Sequence, residues 1–189
     1  MAELTLTLML DALRGVSRRT NALRECMWGA AVDDLPASSL ADARVGLAGS
    51  GAIARQVAEP VGAFGAEVRV FGLPRFTPER AAGWPGRRAD SLAELLTGRD
   101  VVSVHVPATA QTDGPIGAEE LRLMRPHSVL INTARASVVR EEALDHALRD
   151  PASGPWWAAL EVFEAEGPGF SSALAENPHC TLSPPTSQA

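Results

Sequence analysis

The stretch Gly49-Ser50-Gly51-Ala52-Ile53-Ala54 has the residue types and spacing most able to do chemistry. An apolar run over 45–48 leads into it, and Ile53, Ala54, Val57 and Ala58 follow at helical spacing. That order describes a strand, a tight turn and a helix start. Gly49 permits the turn, Gly51 leaves room for a ligand against the backbone, and Ala54 keeps the helix close to the strand. Unpaired N–H groups at a helix start, with the helix dipole behind them, favour a pyrophosphate. Taken alone, the same pattern also describes an ordinary strand–helix connection, and the motif does not choose between the two.

The elements around this turn decide where other reactive residues fall. Residues 3–27 read as one amphipathic helix, with Leu4, Leu6, Leu8, Met9, Ala12, Leu13 and Val16 on its apolar face. A loop covers 28–42. The helix after the glycine turn is expected to kink or end near Ala58, because Pro60 lacks the N–H that the helical ladder needs. A second strand covers 67–71, and residues 76–90 form a loop with room for a short third strand. Ser91 caps a helix over 92–96. Strands are read at 100–106, 128–132, 156–163 and 181–182, with helices at 118–124 and 141–149. Strands alternating with helices imply right-handed βαβ units. The expected fold is α/β: a single domain over 1–189 with a Rossmann-type, doubly wound parallel sheet in three αβα layers. Ligands of such sheets lie at the carboxyl ends of the strands, here 49–51, 72–75, 105–107, 133–135 and 161–166.

Bulk properties narrow the function classes. The chain has 189 residues, 46% of them hydrophobic, and a formal charge of −6. That balance suits a folded domain with a sizeable core and disfavours a nucleic-acid backbone as partner. No apolar run is long enough to span a bilayer and no signal-peptide pattern opens the chain, so a cytoplasmic location is expected. Cys26 and Cys180 are too far apart for a metal motif and read as reduced, packed thiols. All 17 basic residues are arginine and tyrosine is absent. Schiff-base chemistry on lysine is therefore excluded, as is the Tyr/Lys pair of short-chain dehydrogenases.

Four spaced segments resemble one family: Val-Gly-Leu-Ala-Gly-Ser-Gly-Ala-Ile-Ala (45–54), Asp-Val-Val-Ser-Val-His-Val-Pro (100–107), Leu-Ile-Asn-Thr-Ala-Arg (130–135) and Leu-Glu-Val-Phe-Glu-Ala-Glu (160–166). They are similar, in order, to the NAD-binding domain of the D-isomer-specific 2-hydroxyacid dehydrogenases. Residues 2–10 resemble the long helix that opens that domain. The resemblance implies hydride transfer between a nicotinamide cofactor, NAD or NADP, and a 2-hydroxy or 2-oxo acid. It puts Gly49, Ser50, Gly51, Ala52, Ile53, Gly72, Arg75, His105, Val106, Pro107, Thr112, Thr133, Ala134, Arg135 and Glu161 beside the cofactor. Arg135 matches the family's catalytic arginine, whose guanidinium can grip a substrate carboxylate in two places. Glu166 matches the acid that orients the family's histidine. The resemblance also implies a homodimer, with residues 1–30 as linker and dimerisation helix, and the apolar face over 4–16 points the same way.

The chain departs from the family at three places. Ser183-Pro184-Pro185 stands where the family has Thr-Pro-His, and Pro185 can neither give nor take a proton. The four histidines are poor substitutes. His179 lies across the last strand, roughly 20 Å away at ~3.3 Å per residue. His127 falls at the wrong end of a strand and His146 on a charged helix. His105 reads as a hydrogen-bonded strand-end histidine, though at the correct edge. Second, Gly72 replaces the aspartate that selects NAD, which with Arg75 nearby suits NADP better. Glu161 likewise replaces an aspartate beside the nicotinamide. Third, the family's separate substrate domain has no counterpart in this sequence. Three readings stay open: an oxidoreductase of this type, a nucleotide-binding module or subunit without turnover, and a repurposed lyase or cyclase.

Overall fold

The computed structural model describes residues 1–33, 35–72, 76–110, 112–150, 152 and 154–185. The sequence predicts one helix over 3–27, but the chain forms two, α1 (Ala2–Arg14) and α2 (Val16–Arg24). Gly15 separates them at φ 66°, a left-handed conformation that suits glycine, and its N–H caps the Asp11 carbonyl at 2.6 Å. A single turn, α3 (Ala30–Asp33), leads towards the sheet.

Alternation then runs to the end of the chain. β1 (Arg44–Ala48) is followed by α4 (Ala52–Ala63), and β2 (Glu67–Phe71) by the turn α5 (Pro78–Ala81). The short β3 (Arg87–Arg88) precedes α6 (Leu92–Leu96), which Ser91 caps by accepting the Glu94 N–H at 3.0 Å. β4 (Val101–Val104), α7 (Ala118–Leu123), β5 (Val129–Asn132), α8 (Glu141–Arg149), β6 (Trp157–Leu160) and β7 (Cys180–Leu182) complete the described elements, with 3-10 turns at Ala136–Val138 and Ala173–Glu176. β6 is shorter than the strand expected over 156–163. Pro60 does not end its helix. α4 continues to Ala63, held by the fully buried Val57, Ala58 and Val61, and the Pro60 carbonyl accepts the Phe64 N–H at 3.0 Å.

All seven strands are parallel, in the order β3-β2-β1-β4-β5-β6-β7. The apolar runs of the sequence follow from this, because a parallel sheet is covered on both faces. Val129 and Ile131 join one core with Val45, Leu47, Trp157 and Ala159. Leu130 joins the other with Val102, Val104, Ala158 and Leu160. α1 and α4 cover the first face, and α7 and α8 the second. Leu8, Met9, Ala12 and Leu13 of α1 are buried in that first core. The apolar face expected to meet another subunit therefore packs largely on the chain's own sheet. Cys180 is half-buried, but Cys26 is exposed, against the expectation of two packed thiols.

β1 lies between β2 and β4, so the chain leaves it in one direction and later returns on the other side. A crevice opens at such a switch point, beyond the carboxyl ends of β1 and β4.

Candidate dinucleotide-binding site

The glycine turn fills that crevice. Gly49 has φ 129°, and a Cβ there would lie 2.5 Å from the His105 carbonyl oxygen. Two ladder bonds hold the approach: the Gly49 N–H donates to the Phe71 carbonyl and the His105 N–H to the Ala48 carbonyl, both at 2.7 Å. Only glycine fits between these strand ends. Gly51 differs, because a Cβ there would meet nothing within 4 Å. It stands at the head of α4, where no side chain caps the helix. The first N–H groups of α4 thus have no intrahelical partner and face the turn's open side. Ala54 is fully buried, as close helix–strand packing requires.

Two adjoining cavities flank the turn and share His105, Val106 and Pro107. The first, about 470 Å³, is lined by Gly49, Ser50, Gly51, Arg55, Phe76, Arg80 and Trp84 as well. The second, about 560 Å³, gathers Ile53, Thr133, Ala134, Arg135, Glu161, Val162, Glu166 and Pro185. Residues from widely separated segments of the sequence, 49–55, 76–84, 105–107, 133–135, 161–166 and Pro185, thus meet in one continuous cleft. A bare helix head between two adjoining cavities fits an extended ligand with a central pyrophosphate, and the residues present fit a nicotinamide dinucleotide.

Local bonds set the geometry of the second cavity. Asn132 donates through Nδ2 to the Arg135 carbonyl at 2.9 Å and accepts the Ala134 N–H through Oδ1 at 3.1 Å. It therefore shapes the turn that carries Arg135. The exposed Arg135 guanidinium donates to the Ala134 carbonyl at 2.6 Å. Thr133 is buried and shares a hydrogen bond of 2.8 Å with Thr5 of α1. Glu161 is buried at the end of β6. Glu166 accepts the Phe163 N–H at 3.0 Å, which folds its loop back towards the strand.

The histidines fall largely as read. His105 Nε2 and Ser103 Oγ are 3.0 Å apart, and burial pulls the imidazole down to about 4. It is neutral near pH 7 and half-engaged, which makes it a poor proton donor. His179 packs edge-on against Trp156 and Trp157, His127 lines a depression beside Arg44 and Asp100, and His146 is exposed on α8. None of these three lines the cleft.

Other expected residues are placed differently. Thr112 is buried, and its hydroxyl bonds within its own loop, donating to the Pro107 carbonyl and accepting the Thr109 N–H. It lines a small apolar cavity beneath Val106 rather than the cleft. Gly72 sits at the end of β2, but Arg75 lies outside the described residues. Sequence reasoning missed Asn132, Arg80 and Trp84. An asparagine at a strand end, able to form an Asx turn, is a usable signal for the first. The other two have no local signal, since only the fold carries 80–84 to the glycine turn. Among the described residues no group of acidic, histidine or cysteine side chains could hold a metal ion.

Residues 6–187 match the family model described as D-isomer specific 2-hydroxyacid dehydrogenase, NAD binding domain. The chain belongs to this family. The D-3-phosphoglycerate dehydrogenase of Methanocaldococcus jannaschii is 33% identical over 183 residues, covering 96% of this chain and 33% of that protein. The NAD-complexed D-isomer specific 2-hydroxyacid dehydrogenase of Lactobacillus delbrueckii ssp. bulgaricus superposes with a TM-score of 0.81 at 27% identity, over 97% of this chain and 57% of that one. An acyclic imino acid reductase in complex with NADPH and D-Arg superposes with a TM-score of 0.83 at 25% identity, over 97% and 56%. The chain thus spans a third to a little over half of these relatives. The family and the fold together mark it as an NAD-binding, 2-hydroxyacid-dehydrogenase-like protein.

Proposed function

We propose that this chain binds NADH or NADPH across the glycine turn, as the nucleotide half of an oxidoreductase acting on the CH–OH group of a 2-hydroxy acid or on the matching 2-oxo acid. The observation that carries this reading is the cleft itself: an uncapped α4 head between two cavities, with Arg135 and Glu166 in the second. The bound cofactor would accept or supply the hydride. Arg135 would hold the substrate carboxylate and polarise the neighbouring carbonyl. Gly72 favours NADPH, because no carboxylate at the end of β2 can repel a 2′-phosphate. The D-3-phosphoglycerate dehydrogenase relative suggests a small, anionic hydroxy acid as substrate class.

Oxidation at CH–OH releases a proton that Pro185 cannot take. Pro185 lines the same cavity as Arg135 and Glu166, so turnover needs a base other than the residue at 185. The same observation favours a second reading, a nucleotide-binding module that does not turn over. Titration with NADH and NADPH by calorimetry separates the possibilities. Submillimolar binding is expected, and no binding of either at millimolar concentration overturns both readings. Binding without oxidation of any 2-hydroxy acid leaves the second. A Pro185→His variant that gains activity would support the first.

We also infer a homodimer. Val16, Thr20 and Leu23 fall on one face of α2 at i, i+4 and i+7. Val16 and Leu23 are exposed large hydrophobics, as are Met27 and Trp28 just beyond the helix, with Trp28 83% exposed. An apolar stripe of this kind on a folded domain marks a contact surface. We infer a cytoplasmic location from the same sequence features that suggested it.

A further inference from the structure

The loop over 164–172 follows β6 and carries Glu166 to the second cavity. Its tip packs on little: Gly167 and Gly169 have φ 106° and 89°, and a Cβ on either would meet nothing within 4 Å. The loop's place is therefore set at its two ends. At the first, the Glu164 N–H donates to Glu141 Oε2 at 3.1 Å. At the second, the Ser172 hydroxyl donates to Glu141 Oε1, and Ser172 Oγ accepts the Leu174 N–H at 3.1 Å. One carboxylate on the first turn of α8 thus holds both ends of the loop. Among the described residues, no strand and no other α-helix hydrogen-bonds to this stretch. Inside the clamp the Phe163 and Phe170 rings meet edge-on with centroids 5.0 Å apart, and Glu166 accepts the Phe163 N–H. Glu141 also borders a small gap with Asn132 and Val162, so the clamp stands behind the second cavity, which Val162 lines.

Both carboxylate oxygens of Glu141 are spent outside its own helix. The helix dipole favours a glutamate in a first turn, which explains the negative charge but not two bonds to one loop. Hydrogen bonds to a carboxylate are the stronger class, and a pair that closes one loop lowers the freedom of the chain between them. We propose that Glu141 is a positioning residue, which clamps 164–172 and thereby fixes Glu166 at the rim of the second cavity. The consequence for a ligand is electrostatic, and this part rests on the dinucleotide reading above. With the redox ring in the second cavity, a carboxylate held there favours the cationic oxidised ring over the neutral reduced one.

Hydrogen exchange and calorimetry on the 189-residue chain test the clamp without any turnover. The amides to follow are the bonded ones of the loop, Phe163, Glu164 and Phe170. Glu141→Ala should speed their exchange at least about tenfold and leave the amides of α4 within about twofold. Glu141→Gln should stay near the wild type, because its amide can still accept from Glu164 and donate to the Ser172 oxygen. The tighter-binding dinucleotide is then titrated in its oxidised and reduced forms, with ADP as reference. Glu141→Ala and Glu166→Gln should each lower the oxidised-to-reduced affinity ratio at least about threefold, leave ADP within about twofold, and fail to add when combined. Unchanged loop exchange in Glu141→Ala overturns the proposal, as does a glutamine variant as loose as the alanine one. A ratio that Glu141→Ala leaves within about twofold of the wild type overturns it too. So does faster exchange across the whole chain with loss of ADP binding, since Glu141 would then support the fold in general. If no nucleotide binds, the dinucleotide reading falls, and the exchange results alone decide the clamp.

Discussion

His105 shows what one side chain contributes when the fold encloses it. Its imidazole is pulled from 6.5 to about 4 by burial, so the folded chain holds it neutral. In the unfolded chain the same group takes up a proton near pH 6.5. Its contribution to stability is therefore complete above that pH and is lost as the pH falls towards 4. The full difference is worth roughly 3 kcal/mol. Urea unfolding at pH 7.5 and 4.5 should show a fall of that order, and His105→Gln should flatten part of the slope. An unchanged slope in the variant would show that other groups carry the acid sensitivity. The same neutrality explains why a histidine at the correct edge of the sheet does not replace the one the family carries where Pro185 stands. Position was readable from the sequence, but protonation depended on enclosure.

At the scale of elements, the end of β5 decides where the site's arginine stands. Asn132 is 2% exposed and spans the turn with one bond donated and one accepted. Asn132→Ala would remove both bonds from the part-buried Ala134 N–H and Arg135 carbonyl, at a cost of about 1 kcal/mol. It should also weaken binding of carboxylate ligands more than binding of ADP, because Arg135 loses its fixed turn while the glycine turn is untouched. Chemical denaturation and paired titrations would measure both effects, and equal loss for the two ligand types would argue against a positioning role. The strand itself was legible, since Val129, Leu130 and Ile131 form an apolar run between Ser128 and Asn132. The helix at α4 shows the limit of such reading. Pro60 signals a break by local rules, but buried packing at Val57, Ala58 and Val61 outweighs one missing hydrogen bond.

At the scale of the whole molecule, α1 is covered by the sheet while Val16 and Leu23 of α2 are exposed. The first helix is amphipathic in sequence, and that pattern cannot say whose surface it meets. The chain's own sheet takes Leu8, Met9, Ala12 and Leu13 and leaves Val16, Leu23, Met27 and Trp28 exposed, the surface proposed to meet a second copy. Leu23→Glu would put a charge into that contact. The wild-type chain should sediment as a dimer at micromolar concentration, and the variant should shift to monomer with little change in melting temperature. A monomeric wild type would refute the assignment.

The sequence by itself determined the alternation of strands and helices, the parallel sheet, the glycine turn and the strand ends that form the cleft. These depend on local periodicity and on backbone geometry at single residues such as Gly49, and both are written within a few residues of chain. The tertiary structure alone decided that Gly72 has no room for a side chain, that Arg80 and Trp84 face the same cavity as the glycine turn, and that α1 spends its apolar face internally. Each of these depends on distances between segments far apart in the chain, which packing sets and local pattern does not.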